Sequence, residues 1–305
     1  VNIGSAFDED AAQATGDTSS GVEQSITDPF SFDTGFSEAN DDRNTGLFGS
    51  SVAEDLSTTS TLKDQTLAAI GDGAWVKSDP GLIVEARNTT TLTSDLGGGA
   101  VGGLSIGGSV NIVRNFGNVE AYTGTGTYLE VKSGQAEFTA QHSFNGTLTT
   151  YAGSGGGVTL GAAVSYLYQG NQVISYVGDN STFVGEFAPS LKLESALNTT
   201  AKVHSIGTYG GITAVAGAVV SKAVLESEVK AYTGQGATLG TTDKKLQDVT
   251  IKASEEDQLD VYALPVNVGT ISLEAAVSEL DYMPRLAAYL GSENKLYLKG
   301  NLDIT

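Results

Sequence analysis

Apolar side chains alternate with small or polar ones along most of the chain after residue 60. The stretch containing Leu160, Ala162, Val164 and Tyr166 shows this alternation clearly. A period of two residues is typical of half-buried β-strands. No 15-residue window after residue 60 combines a helical apolar stripe with helix caps, and Pro284 interrupts a remaining apolar segment. The pattern therefore predicts many strands and few helices.

A short motif, Ala/Ser-Tyr-x-Gly, recurs and defines a degenerate repeat of about 55 residues. A weaker copy, Ala69-Ile70-Gly71, precedes the others, and the aromatic or apolar positions are 52, 54, 56 and 57 residues apart. We expect the tyrosines to stack in register on one face and the glycines to turn the chain at one corner. The tyrosines are Tyr122, Tyr176, Tyr232 and Tyr289, and the glycines are Gly124, Gly178, Gly234 and Gly291.

Repeated strands without intervening helices fit either a parallel β-solenoid (β-helix) or a stack of antiparallel β-sandwich modules. Small side chains favour the solenoid, because coils stacked about 4.8 Å apart enclose a narrow interior. We predict an all-β, right-handed parallel solenoid with about 18–28 residues per coil, so that each repeat supplies two or three coils. The predicted repeats cover about 67–118, 119–172, 173–228, 229–285 and, in part, 286–305.

Residues 1–60 do not share the repeat. They contain 12 acidic side chains, one basic residue (Arg43) and five isolated phenylalanines. This composition predicts an acidic, extended or loop-like segment that the aromatic residues anchor. It is a candidate cap, or a strand donated to the exposed edge of a neighbouring copy.

Charge and composition exclude several classes of function. The chain has 16 Lys and Arg against 36 Asp and Glu, a net charge of −20 that disfavours nucleic acids and anionic lipids. It has no cysteine for disulfides or thiolate zinc sites, which is compatible with secretion. Its longest apolar run, around residues 212–220, is far shorter than the roughly 20 residues that span a bilayer. Because the chain begins with Val1, we interpret it as a mature or excised segment of an extracellular, secreted or cell-surface protein.

Two short strings match enzyme motifs without the required context. Residues 97–102 match GxGxxG but lack the helix and the acidic residue of a dinucleotide site. Residues 103–107 match GxSxG, but the only histidines, His142 and His204, offer no catalytic triad. We predict no catalytic residue and no enzyme activity. The alternative is a β-helix carbohydrate-active enzyme, a lyase or hydrolase, which a groove combining two or more carboxylates with a Lys or Arg would favour.

No cofactor is expected, and calcium is the only metal for which the sequence offers candidate ligands. Asp8, Glu9, Asp10 and Asp17 form the densest oxygen cluster, but they match neither the EF-hand nor the nonapeptide calcium repeat. Four Asn-x-Ser/Thr sequons are candidate glycosylation sites. Three of them are expected in matching places, at the turn before the third strand of a repeat, because Asn suits tight turns. These three are Asn88, Asn145 and Asn198, and the fourth sequon is Asn180.

The Gly-rich strand at 210–220 leads to Val229-Lys230-Ala231-Tyr232-Thr233-Gly234, and residues 155–178 follow the same plan. In these units the chain resembles, over about 67–305, the β-strand-repeat regions of large leukotoxin-type filamentous adhesins of anaerobic bacteria. The resemblance implies export through an outer-membrane pore and a role in adhesion or filaments, without catalysis.

We therefore expect a structural and adhesive surface protein, a segment or subunit of a filamentous adhesin or surface filament. The expected partners are copies of itself or adjacent repeats end to end, and a receptor or glycan on a host or neighbouring cell. Neither nucleic-acid binding nor membrane insertion is expected.

Overall fold

The computed structural model describes residues 2–6 and 56–305, which form sixteen β-strands and no helix. Thr, Val and Ile are frequent in these strands, and such β-branched side chains favour extended backbone. The all-β class predicted from the sequence is confirmed. The strands are β1 (Asn2–Ala6), β2 (Leu56–Ile70), β3 (Trp75–Ser78), β4 (Leu82–Thr123), β5 (Tyr128–Val131), β6 (Gln135–Gln169), β7 (Gln172–Val177), β8 (Thr182–Val184), β9 (Ser190–Leu225), β10 (Glu228–Thr233), β11 (Thr238–Leu239), β12 (Val249–Val268), β13 (Ile271–Tyr282), β14 (Arg285–Leu290), β15 (Lys295–Leu296) and β16 (Leu302–Ile304).

All strand pairings within the described residues are parallel, so the architecture is the predicted parallel β-solenoid and the antiparallel sandwich alternative is wrong. Strands β3, β5, β8, β11 and β15 form a five-stranded sheet, and the other eleven form a larger sheet. From β2 onwards, paired residues are 53 (Leu56 and Ser109) to 58 (Leu191 and Val249) positions apart. One repeat therefore forms one coil, and the predicted coil of 18–28 residues is wrong.

Each large coil runs out and back before it closes. In β6, residues 135–153 form an outbound arm, a Gly-rich tip follows, and residues 158–169 form a return arm. The arms face each other, since Thr150 Oγ1 lies 2.7 Å from Ser165 Oγ, and Ser205 Oγ donates to the carbonyl oxygen of Val220 at 2.8 Å. The other outbound arms are residues 82–100, 190–207 and 249–268, and the other return arms are 104–115, 214–225 and 271–282.

After the return arm the chain bends into a base strand, which is the end of β4 (118–123) or β7, β10 or β14. The largest apolar core lies inside the base strands and the second sheet and includes Phe138, Leu193 and Val229. A middle core between the arms contains Leu148 and Leu167. A third core at the tip surrounds Tyr209.

Tyr122, Tyr176, Tyr232 and Tyr289 stack along the outer side of the base strands. Their successive ring centroids are 4.7, 5.0 and 5.0 Å apart, and the ring planes are parallel within 4°. The spacing is that of neighbouring strands in a sheet, so register alone brings the rings together. Burial, with the neighbouring Tyr289 and acidic groups, raises the pKa of Tyr232 to about 12.

The glycine two positions after each tyrosine is needed for close packing between coils. A Cβ at Gly178 would lie 2.4 Å from the carbonyl oxygen of Gly124, and Gly291 has the same relation to Gly234. Left-handed backbone occurs two residues later in each turn, where φ lies between 54° and 69°. These positions are Gly126, Asn180, Gly236 and Glu293.

The weak first copy of the motif is displaced by one residue from its predicted alignment. Ala69, rather than Ile70, pairs with Tyr122. Ile70 pairs with the fully buried Thr123 and is itself only 5% exposed. An apolar side chain of that size belongs on the inner face, which fixes the register of this strand.

The N-terminal strand β1 pairs with β4 of the same chain, Asn2 with Ile83 through Ala6 with Arg87. Strand β2 begins at Leu56 and pairs with the return arm and base strand of β4. Residues 2–6 and 56–60 therefore join the larger sheet. Arg43 and the five phenylalanines lie outside the described residues.

We expect Tyr176→Ala to lower the free energy of unfolding more than Tyr289→Ala. Tyr176 stacks on two rings, whereas Tyr289 stacks only on Tyr232 among the described residues. At about 0.5–1.5 kcal/mol per aromatic pair, the difference between the variants is about 1 kcal/mol. Urea unfolding followed by circular dichroism measures it, and equal losses would contradict a stabilising column.

Candidate functional site

A groove lies where each return arm bends into its base strand. The pairing of β4 with the following coil stops at Asn115 and resumes at Asn118, and β6, β9 and β13 end at the equivalent bend of the next three coils. Strand β2 pairs with β4 across the same residues without a break. Gly117, Gly170 and Pro284 lie at this bend in three of the four coils, and such residues weaken regular strand pairing. The third coil has Glu226 and Ser227 there. The cavity has a volume of about 420 Å³ and is lined by Phe116, Gly117, Asn118, Tyr168, Gly170, Asn171, Gln172, Glu226, Ser227, Glu228, Met283 and Arg285.

Phe116 and Tyr168 form the aromatic side of the groove. Their ring centroids are 5.3 Å apart at an interplanar angle of 45°, and Phe116 is 37% exposed. The Tyr168 hydroxyl donates to Glu226 Oε2 at 2.8 Å. Burial, together with this carboxylate, raises the pKa of Tyr168 to about 12, so the phenol keeps its proton at neutral pH. Exposed rings beside oriented polar groups are typical of ligand sites.

Polar side chains at the start of the base strands form the other side. Gln172 Nε2 donates to Glu228 Oε2 at 3.4 Å, and Glu228 Oε1 lies 2.6 Å from Lys230 Nζ. Arg285 is the register partner of Glu228 in the next coil. Two carboxylates, Glu226 and Glu228, therefore share a groove with a guanidinium, the combination expected of a β-helix carbohydrate-active enzyme.

Buried polar groups lie directly behind the groove. Asn171 Oδ1 accepts hydrogen bonds from the Gly117 N–H at 2.9 Å and from Asn115 Nδ2 at 3.1 Å. Both polar side-chain atoms of Gln169 and both ring nitrogens of His142 are buried without a hydrogen-bond partner. A Cβ at Gly117 would lie 2.9 Å from His142 Nε2. Burial lowers the pKa of His142 to about 4, so the imidazole is neutral at pH 7.

A second buried cluster lies behind Ser227, which donates its hydroxyl to Glu255 Oε1. Burial raises the pKa of Glu255 to about 7, and the neighbouring charge of Asp257 acts in the same direction. Leu197 separates this cluster from His142, since it is the register partner of both His142 and Glu255. In this column of the register, polar and apolar residues therefore alternate from coil to coil.

The four candidate glycosylation residues do not line the groove. Asn88, Asn145 and Asn198 fall within unbroken strands and in three different columns of the coil register, so their predicted placement at a shared turn is wrong. Asn180 is exposed and does occupy a turn, with φ of 54°. The two enzyme-like glycine strings lie inside β4, which continues as a strand.

The calcium candidates Asp8, Glu9, Asp10 and Asp17 lie outside the described residues. Within 56–305 and 2–6, no group of three or more His, Cys, Asp or Glu is placed to hold a metal ion.

Sequence reasoning missed the groove. Its residues come from four segments about 55 residues apart, and each segment is unremarkable alone. The available signal was a strand breaker, Gly117, Gly170 or Pro284, shortly before three of the four base strands.

Among the residues that the structure describes, no helix is long and apolar enough to span a membrane. No protein-family model, curated protein or solved structure matches the chain.

Proposed function

We propose that this chain is an extracellular structural and adhesive surface protein, a segment or subunit of a filamentous adhesin or surface filament, whose groove binds a glycan. The observation that supports this proposal is that the same bend of four successive coils lines the groove. The groove therefore extends along the direction in which the coils stack. A surface of that shape suits an extended polymer better than a compact small molecule.

The structural role is supported by the length and regularity of the contacts between coils. Pairing of β4 with β6 extends from Leu82 to Asn115, across both arms and the tip. The tyrosine column repeats the register independently on the base strands. Such stacking makes each coil the support of the next, as in other solenoids, and favours a rigid shaft that presents a binding surface.

The chemistry of the groove favours neutral glycans. The rings of Phe116 and Tyr168 offer apolar faces for the C–H groups of a sugar, and Gln172 and Glu228 offer hydrogen bonds for its hydroxyls. A net charge of −20 repels polyanions. We expect binding to neutral oligosaccharides to exceed binding to uronic-acid or sulfated ones.

In a binding screen on immobilised neutral and acidic glycans, Phe116→Ala is expected to weaken the best neutral interaction about tenfold, because it removes one stacking face. Tyr151→Ala is the matched control, since Tyr151 is 49% exposed on an outbound arm outside the groove. An equal loss in both variants, or no glycan binding by the unaltered chain, would contradict the proposed site.

Glu226, Glu228 and Arg285 support a second candidate, a carbohydrate-active enzyme. The same glycans incubated with the chain distinguish the two functions by product analysis. The adhesive function predicts unchanged glycans, with weaker binding in Glu228→Gln. Cleavage by the unaltered chain that disappears in Glu226→Gln or Glu228→Gln would establish the enzyme instead.

A further inference from the structure

The return arms carry mainly apolar side chains on their outer side, whereas their inner side mixes polar groups with core residues such as Leu167 and Val219. Ser105, Asn111, Thr159, Ser165 and Ser221 point inwards and are fully buried. Leu160, Ala162, Val164 and Tyr166, the residues that reveal the alternation in the sequence, lie on the outer side and are partly or largely exposed. Apolar residues therefore occupy both sides of the return arms, whereas one face of a half-buried sheet is usually polar.

Most of these buried hydroxyls bond to acceptors inside the solenoid, and Ser109 is an exception. Thr159 Oγ1 donates to the carbonyl oxygen of Gly210 at 2.9 Å, Ser165 Oγ to that of His204 at 2.8 Å, and Ser221 Oγ to that of Tyr262. These bonds tie each return arm to an outbound arm. The inner side of the return arms is thus bonded inside the chain. No second sheet of the described residues packs on their apolar outer side.

The outer side of residues 104–112, 158–166, 214–222 and 271–279, here called the return-arm face, is flat and nearly uncharged. One column consists only of valine, and the next column consists only of Gly and Ala, so a ridge runs beside a shallow groove. The only charged side chains are at its rim, where Lys222 lies 3.0 Å from Glu279. The valines are Val110, Val164, Val220 and Val277, and the small residues are Gly108, Ala162, Ala218 and Ala275.

The outbound arms show that this is not a general property of the solenoid surface. Over most of their length their outer positions carry Thr, Asn and charged residues, such as the ion-paired Glu137, Lys192 and Glu194. Apolar residues such as Tyr151 and Leu264 are exposed there only towards the tip. On the return arms the exposed apolar positions form a longer contiguous patch, and such a patch marks a surface that another surface covers.

We propose that the return-arm face is a lateral interface between two copies of this chain, packed sheet against sheet. Four strands span about 19 Å and nine residues about 30 Å, so the face measures roughly 570 Å² per copy. Two such faces bury roughly 1,100 Å², just above the about 1,000 Å² expected of a specific interface. The ridge of valines on one copy fits the Gly and Ala column of the other, as in sheets that pack about 10 Å apart.

Charge favours a second copy over a lipid surface. A chain of net charge −20 is repelled by anionic headgroups, and the rim contributes ion-paired Lys222 rather than a basic belt. Two copies of net charge −20 also repel each other, but salt screens charges that are more than about 10 Å apart, and the apolar faces carry only the ion-paired residues of the rim. The inference is independent of the proposed glycan binding.

Sedimentation velocity of the unaltered chain at about 100 µM tests the proposal. We expect a mass twice that of one chain, and a single-chain mass for Val164→Lys, because a lysine in the ridge would be buried without a partner. Thr147→Lys, on the outbound arm of the same strand, is the matched control and remains a dimer. Circular dichroism shows whether each variant is folded.

Thiol labelling identifies any other occupant, since the chain has no cysteine of its own. In a dimer, Val164→Cys reacts slowly at high concentration and quickly on dilution, whereas Thr147→Cys reacts quickly throughout. A monomer in which Val164→Cys reacts quickly at every concentration would overturn the proposal. A monomer in which this cysteine reacts slowly at every concentration would also overturn it, and would indicate that residues 7–55 cover the face. Flotation of the monomer with phosphatidylcholine vesicles would overturn it in favour of a lipid.

Discussion

Replacement of Tyr209 by alanine is expected to lower the free energy of unfolding by about 3–5 kcal/mol, the loss typical of a buried aromatic side chain. Tyr209 is fully buried and lies at the centre of the tip core with Ala163, Val215 and Val219. The ring packs directly on two glycines, since a Cβ at Gly161 would lie 1.9 Å from it and a Cβ at Gly217 would lie 2.2 Å from it. Alanine would therefore leave a cavity that these small neighbours cannot fill.

Tyr209→Phe separates the role of the ring from that of the hydroxyl. The hydroxyl is buried without a hydrogen-bond partner, and burial raises the pKa of Tyr209 to about 12. Removal of an unpaired polar atom is expected to be neutral or to stabilise by up to about 1 kcal/mol. Urea unfolding measures both variants, with Tyr151→Ala as an exposed control expected to change stability by less than about 0.5 kcal/mol. A loss below about 1 kcal/mol in Tyr209→Ala would show that the tip is not a packed core.

His142 and Glu255 are expected to make the free energy of unfolding depend on pH in opposite directions. Burial lowers the pKa of His142 to about 4, so its contribution is complete above pH 6.5 and is lost as pH falls towards 4. The nearby charge of Asp64 opposes this shift but is the smaller effect. Since His142 is almost fully buried, the loss amounts to about 3 kcal/mol.

Burial raises the pKa of Glu255 to about 7, which has the opposite sign. Its contribution is complete below about pH 4.5 and is lost as pH rises towards 7, because the folded state retains a proton that the unfolded state releases. Glu255 is only partly buried, so solvent screening reduces the effect to about 1–2 kcal/mol. Between pH 4.5 and 6.5 the two groups therefore compensate each other in part.

Single substitutions remove one slope at a time. His142→Leu introduces the same residue as Leu197, the register partner of His142 in the next coil. This variant is expected to become more stable as pH falls from 7 to 4.5. Glu255→Gln is expected to lose stability over the same range more steeply than the unaltered chain. Urea midpoints at pH 4.5, 5.5, 6.5 and 7.5 give the profiles. Identical profiles for His142→Leu and the unaltered chain would show that His142 does not titrate as a buried group.

The strand class and the tyrosine column were predictable because they depend on short-range features. Alternation is visible within a few residues, and a Tyr-x-Gly motif that recurs every 54 to 57 residues implies equivalent positions in a stack. The length of a coil was not predictable in the same way. Asn145-Gly146 looks like a turn in the sequence, yet it lies inside β6, where a Cβ at Gly146 would be 2.4 Å from the ring of Phe144. That glycine makes room for packing instead of reversing the chain.

Strand content, the degenerate repeat and the strongly acidic composition could be read from the residues alone, because period, side-chain size and charge are properties of the linear chain, and small side chains favoured the parallel solenoid over the antiparallel sandwich. The folded chain added how far each strand runs before it bends, which residues from four coils meet in the groove, and which side of the return arms faces out. A two-residue alternation is the same whichever face is buried. The choice depended on whether hydroxyls such as Ser165 and Ser221 found acceptors across the coil, and that is a property of the folded chain alone.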